Sequence, residues 1–247
     1  MSTSSPSAAL RRILVLARKE TVTWLNSPAL YGITVFFLVF VSVWFYYIQR
    51  FFAMDIASLR PFFEAFPLVY IFIIPVLTMR AWAEERKLGS VEILLTMPFN
   101  EWELVIGKFL SCMALILGML ILTLPVPLSL LSLSNFDLGV MLTEYTGVLL
   151  LGAAAMAVGL FLSSVSKTQA AAFVGSVVVL LALMLLNNFT QNMPPFLAGF
   201  VNFISLSFHF ESFSRGLLDT RDLAFFILTT ALFLFLNTQV LIFRKWS

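Results

Sequence analysis

A chain of 247 residues that is 60% hydrophobic and 11% charged, with a formal net charge of +2 and a mean hydropathy of +0.98, lies far from soluble domains, in which about a quarter of residues carry charge. That composition excludes a soluble globular protein. Repeated apolar runs near the ~20 residues needed to cross a bilayer predict an all-α integral membrane protein. The runs are continuous rather than alternating, which excludes barrel strands, and the expectation is a single transmembrane domain over residues 1–247. Cys112 falls inside an apolar run and has no cysteine partner, so no disulfide framework and no Cys-based metal site exist.

At the amino terminus, residues 8–25 carry apolar positions at Leu10, Ile13, Leu14, Ala17, Thr21, Trp24 and Leu25, one helical stripe, with Arg11, Arg12, Arg18 and Lys19 off it. A cleavable signal would have an unbroken apolar core instead. The pattern predicts a basic amphipathic helix in the inner membrane interface, its basic face toward anionic lipid. An ordinary surface helix without lipid contact is the alternative. After Asn26, Ser27 and Pro28, a cap followed by a proline at a first helical turn, six transmembrane helices are expected at about 29–49, 63–80, 104–133, 143–165, 168–188 and 222–243. Lysine and arginine favour cytoplasmic segments. With the amino terminus inside, that side holds Arg11, Arg12, Arg18, Lys19, Arg80, Arg86, Lys87, Lys108, Lys167, Arg244 and Lys245, against Arg50, Arg60, Arg215 and Arg221 outside. Both termini are therefore expected in the cytoplasm.

Between the second and third spans, "AWAEERKLGSVEILLTMPFNEWELVIGKF" concentrates charge in residues 81–103. Arg80 and Glu84 are four apart, so the second span is expected to run on past the membrane with a charge pair on its flank, stopping at Gly89. Ser90 is a candidate N-cap, Glu92 sits in a first turn where the helix dipole favours negative charge, and "VEILLTM" forms a short helix ended by Pro98. Asn100 with Glu103 is a capping-box pattern that starts the third span. A short helix carrying Leu94, Leu95 and Met97 amid charge cannot span and is too charged to sink. It needs a protein surface or the headgroup layer, and an interfacial loop that merely anchors the flanking spans is the other reading.

"EERKLGSVEILLTMPFNEWELVIGKFL" resembles the cytoplasmic loop of type-2 ATP-binding-cassette (ABC) transporter permeases: a charged pair, basic residues, Gly-Ser, a Glu, a leucine pair, Pro, then Gly-Lys-Phe entering the next span. "ARKE" near the amino terminus and "FESFSRGLLDTRD" before the last span extend the likeness over essentially the whole chain. Among subfamilies it is most similar to the gliding-motility-type permeases. The resemblance implies that the helix around Ser90 to Met97, bounded by Gly89 and Pro98, is a coupling helix inserted into a cleft on a separate ABC ATPase subunit. Glu84, Glu85, Arg86 and Lys87 would then pair with charges at the cleft rim, and Glu92, Leu94 and Leu95 would make the inserted contact. It also implies a multi-pass protein of the bacterial inner membrane with a second permease chain, the same or different, as partner. An external or membrane-anchored accessory protein is a further candidate partner; nucleic acid is not one. No cofactor is expected on this chain; ATP and Mg belong to the ATPase.

The sequence has no nucleotide site of its own, because a phosphate-binding loop requires G-x-x-x-x-G-K-[ST] and Gly107–Lys108 is followed by Phe109 and preceded five positions earlier by Trp102. The lone His209 lies among phenylalanines and is read as a packed or interfacial residue. In residues 189–221, "PPFLAGFVNFISLSFHFESF" is too apolar for a solvated loop and too interrupted for a span, which predicts two short helices dipping into the outer leaflet. This agrees with the re-entrant helices of the resembled family; Pro194, Pro195, Phe196, Phe208, Phe210 and Phe213 would then form an outer gate or docking surface, with simple anchoring as the alternative. Span centres carry no ionisable residue, since Glu64, Glu144 and Lys108 sit near span ends, which argues against a proton-driven carrier. Pro125 and Pro127 predict a kink. Ala155 with Gly159 and Ala171 with Gly175 predict close helix approach, within the subunit in preference to a dimer seam. Three functions stay open: the membrane half of an ATP-driven exporter, a mechanotransmitter moving an external partner, and a passive scaffold or channel.

Overall fold

The computed structural model of the chain describes residues 6–49, 59–87, 100–130, 137–187 and 194–245, and among these all regular structure is helical. The helices are α1 (Pro6–Leu25), α2 (Pro28–Val43, running on as a π-helical turn Trp44–Ile48), α3 (Arg60–Phe63), α4 (Ala65–Lys87), α5 (Glu101–Thr123), α6 (Pro125–Leu130), α7 (Leu138–Val165), α8 (Gln169–Leu185), α9 (Pro195–Ile204), α10 (Leu206–Ser214) and α11 (Thr220–Lys245). Their ends follow local chemistry. Pro28 opens α2 after Ser27, the Asp137 carboxylate accepts from the Gly139 N–H at 2.7 Å to cap α7, and Thr168 accepts from the Ala171 N–H at 3.2 Å to cap α8.

Among the described residues, five helical segments are long and apolar enough to cross a membrane: Pro28–Ile48, Arg60–Arg86, Glu101–Leu130, Leu138–Val165 and Thr220–Arg244. The fifth expected span, 168–188, corresponds to α8, whose 17 residues reach about 25 Å at 1.5 Å per residue, short of a ~30 Å hydrocarbon core. The second and fourth spans start earlier than the hydropathy pattern suggests. Arg60 pairs with Glu64 at 3.0 Å and Asp137 acts as a cap, so polar residues that look like loop are the first turns of helices. The expected kink in the third span is a break between α5 and α6 at Leu124, immediately before Pro125.

Helix α7 is the axis of the bundle, packed against α4, α5, α8, α10 and α11. Its glycines set how closely the neighbours approach. A Cβ on Gly147 would lie 2.4 Å from the Phe213 Cβ on α10, and one on Gly159 would lie 2.4 Å from the Thr78 Oγ1 on α4. Ala155 on the same helix is fully buried, so the expected close approach at Ala155 and Gly159 forms within the chain. The second small pair does not. Helix α8 turns Ala172, Ser176, Leu180 and Met184 inward, and Ala171 and Gly175 lie one position off that face; a Cβ on Gly175 would meet nothing within 4 Å. The core around α7 is filled by aromatic rings: Phe37, Phe45, Phe62, Phe63, Phe66 and Tyr70 are buried and meet largely edge to face, Phe45 with Phe62 at 5.6 Å and Phe63 with Tyr145 at 5.0 Å. By contrast only 22% of α2 and 22% of α11 is buried, leaving their apolar flanks for lipid or a second chain.

Candidate functional site

At one end of the bundle α4, α7 and α11 finish, α5 begins, and α1 lies across them. Helix α1 packs along α5 because Gly107 makes room for it: a Cβ there would lie 2.7 Å from Leu16 Cδ2. Leu16 is buried in a small cluster with Trp82, Leu104, Val105 and Leu241. The predicted apolar stripe is therefore divided: Ala17, beside Leu16, is buried against protein, whereas Leu10, Leu14 and Leu25 are exposed.

Arg11, Arg18 and Lys19 are exposed, as a basic outer face requires. Arg12 is not part of that face. Its guanidinium grips the Glu103 carboxylate with two bonds, Nε to Oε2 at 2.9 Å and a terminal nitrogen to Oε1 at 2.5 Å. Charge-assisted pairing in this fork geometry outcompetes a headgroup contact, and the bond to Glu103 raises the Arg12 guanidinium above its ordinary range. Glu103 in turn accepts from the Asn100 N–H at 3.4 Å, so the Asn100–Glu103 box opens α5 as its spacing predicts. Some two turns further on, the Thr21 and Ser111 hydroxyls lie 3.2 Å apart.

The centre of this end is Lys108, 3% exposed. Its ammonium lies 2.6 Å from Glu85 Oε1, 3.5 Å from Glu20 Oε1 and 4.9 Å from the centroid of the Trp82 ring. Two carboxylates and an aromatic face thus replace water around one buried charge, as a buried ammonium requires. Helices α1, α4 and α5 are joined by a single side chain. A cleft of about 270 Å³ opens beside it, lined by Glu20, Trp24, Arg80, Glu84, Glu85 and Lys108 among others. Arg80 stands 5.7 Å from the Trp24 ring and 4.0 Å from Glu84 in the expected i,i+4 pair.

Arg86 turns the other way and donates to the backbone carbonyls of Ser164 and Ser166, closing the C-terminus of α7, where carbonyls lack helical partners. Arg244 donates to the neighbouring Val165 carbonyl at 3.3 Å, and the Ser163 hydroxyl donates to the Met79 carbonyl at 3.2 Å. Of the residues expected at an ATPase rim, Glu84 has 44% of its side chain exposed, while Glu85 and Arg86 serve contacts inside the chain. Lys87 is the last residue of α4. Gly89, Ser90, Glu92, Leu94, Leu95 and Pro98 lie outside the described residues, between Lys87 and the cap at Asn100. The intramolecular ties of Arg12, Glu20 and Lys108 are absent from the sequence reading. The usable signal was that Glu103 and Lys108, five apart at the start of a span, are too close to the hydrocarbon to stand unpaired.

At the opposite end Arg60 lies 3.0 Å from Glu64 and 3.8 Å from Glu211. There α9 and α10 form a pair bent by 74°, and Ser205 between them caps α10 by accepting from the Phe208 N–H at 3.3 Å. Pro194 is exposed and Pro195 begins α9. The four phenylalanines expected to act together are split: Phe196 and Phe208 are exposed, whereas Phe210 and Phe213 are buried in the core. Phe213 packs closely on Gly147 of α7, and Phe210 lines a cleft with Arg60, Glu64 and Glu211. His209 is packed, as expected of a lone histidine, and has a carboxylate partner in Asp222.

The sequence matches the family described as ABC-2 family transporter protein over residues 14–241. It is also similar to the probable multidrug ABC transporter permease YbhR of Escherichia coli strain K12 and to that of Escherichia coli O157:H7, each 27% identical over 143 residues, 57% of this chain and 38% of the relative. The chain spans well under two thirds of the length of these curated relatives. Because the family match extends from α1 almost to the end of α11, the chain belongs to the ABC-2 transporter family, whose members are multi-pass membrane permease subunits and not themselves catalytic.

Proposed function

We propose that this permease subunit couples ATP binding and hydrolysis on a separate ATPase chain to export, or to conformational work, across the membrane. The observation that carries the reading is the charge cluster around Lys108. It fastens α1, α4 and α5 together where α4 ends at Lys87 and α5 begins at Glu101, the two sides of residues 88–99. A segment that receives force from an ATPase needs flanking helices held against a common support, and these ion pairs supply one. In this reading residues 90–97 form the coupling helix. Glu84 reaches the ATPase rim, while Glu85 and Arg86 pass the movement inward to α5 and α7. The charged end faces the cytoplasm, α8 crosses as a sixth span, and a second permease chain completes the unit.

A mechanotransmitter of the gliding-motility type is the second reading. It is favoured by the aromatic filling around α7, where interlocked rings occupy the interior that a path through one chain would need. The test begins with the tagged chain extracted in mild detergent, with assay of the co-purifying material for ATP hydrolysis. Glu92→Arg, outside the bilayer in this reading, leaves insertion and expression intact and reduces ATPase binding or stimulation. Unchanged coupling in the purified complex removes Glu92 from the mechanism, and recovery of the chain alone, at levels where partners would be visible, refutes the ATP-driven reading.

A further inference from the structure

His209 joins three helices through one ring. It is 1% exposed and its partner Asp222, in the first turn of α11, has 8% of its side chain exposed. The ring Nδ1 lies 2.6 Å from Asp222 Oδ1, and Nε2 lies 3.2 Å from the backbone carbonyl oxygen of Phe203 in α9. The ring is stacked on Phe225 of α11 with centroids 3.8 Å apart, and the edges of Phe203 and Phe208 close the remaining sides. Among the described residues, the other titratable or charged groups on the elements packed around it are Glu211 and Arg215 on α10, Asp219 before α11, Arg221 on α11, and Glu144 and Tyr145 on α7; none of these bonds the ring, and Arg244 and Lys245 stand at the other end of α11. Glu211 is engaged with Arg215 and Arg60, and Asp219 with the Arg221 N–H. Helices α8 and α9 carry no titratable group.

The donor count is what makes this arrangement unusual. A carbonyl oxygen can only accept, and so can a carboxylate, while a neutral imidazole carries one N–H. Both contacts are satisfied only when two protons are present. A proton on Asp222 in place of the second ring proton would leave Nδ1 bare, a state that ring ¹⁵N spectra distinguish. We propose that His209 is a two-proton clasp, an imidazolium that donates from both nitrogens to pin the α9–α10 pair to α11, and that loss of one proton releases the pair. A neutral ring sets a nitrogen lone pair against either Asp222 or the Phe203 carbonyl in an enclosed aromatic box, with no other partner to turn to. The clasp is closed while both ring nitrogens carry a proton and opens when one is lost. This stands on the geometry of the far end and does not depend on coupling to an ATPase.

His209 is the chain's single histidine, so ¹⁵N-histidine labelling of the full chain, carried on a histidine-free tag in lipid nanodiscs, reports this ring alone. Spectra and amide hydrogen exchange of residues 195–214 are followed together from pH about 5 to about 9. The expected result is two protonated ring nitrogens at the acidic side, then loss of one proton accompanied in the same pH interval by an increase of about tenfold in exchange of the α9–α10 amides. Asp222→Asn supplies an amide that can donate to a neutral Nδ1, so that variant keeps the pair protected and abolishes the pH dependence. The proposal is overturned if only one nitrogen carries a proton throughout, if the ring titrates with no change in exchange, or if Asp222→Asn retains the wild-type pH profile.

Discussion

Replacing Lys108 with methionine tests the charged end most directly. The substitution keeps the apolar stem of the side chain while removing the charge that lies 2.6 Å from Glu85, 3.5 Å from Glu20 and 4.9 Å from the centroid of the Trp82 ring. Two carboxylates are then left facing one another in a site mostly closed to water, Glu85 with 18% and Glu20 with 23% of its side chain exposed. Removing one partner of a buried ion pair costs about 3–5 kcal/mol, and because both carboxylates keep some contact with water the lower end applies, about 3 kcal/mol. For a chain of this size that corresponds to a fall in Tm of about 6–12 °C. The assay is thermal unfolding of the detergent-solubilised full chain, followed by tryptophan fluorescence. Adding Glu85→Gln in the Lys108→Met background removes the nearer of the two carboxylate charges and restores about half of the loss, which a double-mutant cycle reads as coupling. A Lys108→Met protein melting within about 2 °C of wild type, or a double variant no more stable than the single, refutes the account.

Arg86→Lys keeps the charge but cannot reach the Ser164 and Ser166 carbonyls together, and is expected to cost about 1–2 kcal/mol of stability in the same assay. Gly147→Ala pushes a Cβ into Phe213 and is expected to destabilise by about 1–3 kcal/mol, whereas Gly175→Ala, which meets open space, is expected to change stability by less than about 0.5 kcal/mol or to raise it. Arg12→Glu undocks α1, read as faster amide exchange over residues 13–21, and Glu103→Arg in the same chain restores protection; a charge-swapped pair that remains unprotected would show that the Arg12 fork does not hold α1.

What the sequence made legible is what periodicity and hydropathy encode. The long apolar runs gave the helices, Pro125 and Pro127 gave the break after α5, and Asn100 with Glu103 gave the start of that span. Each is a local signal whose physics acts within a few residues. What it left illegible are long-range competitions. Arg12 and Arg11 are indistinguishable by composition, and only the arrival of Glu103, 91 residues away, draws one inward and leaves the other outside. Glu85 looks like a rim residue until Lys108 is brought against it across the α4–α5 connection. Phe210 and Phe213 look like members of one aromatic patch with Phe208, but Gly147 offers a gap that only a ring on that face of α10 can fill.

The placement of Lys108 also bears on how a push at residues 88–99 would divide. Helix α4 is locked to α7 through Ser163, Arg86 and the close approach at Gly159, and α5 is locked to α1 through Gly107 and Arg12. Those are two stiff pairs, each joined by contacts that small shifts would break. Between them, next to residues 88–99, lies the Lys108–Glu85 bond, and an ion pair tolerates sliding that a glycine-to-ring contact does not, because Coulomb attraction falls slowly with distance whereas steric overlap rises steeply. In the proposed coupling role, the joint that must transmit force without fracture is thus made of charge, and the joints that must stay rigid are made of close packing.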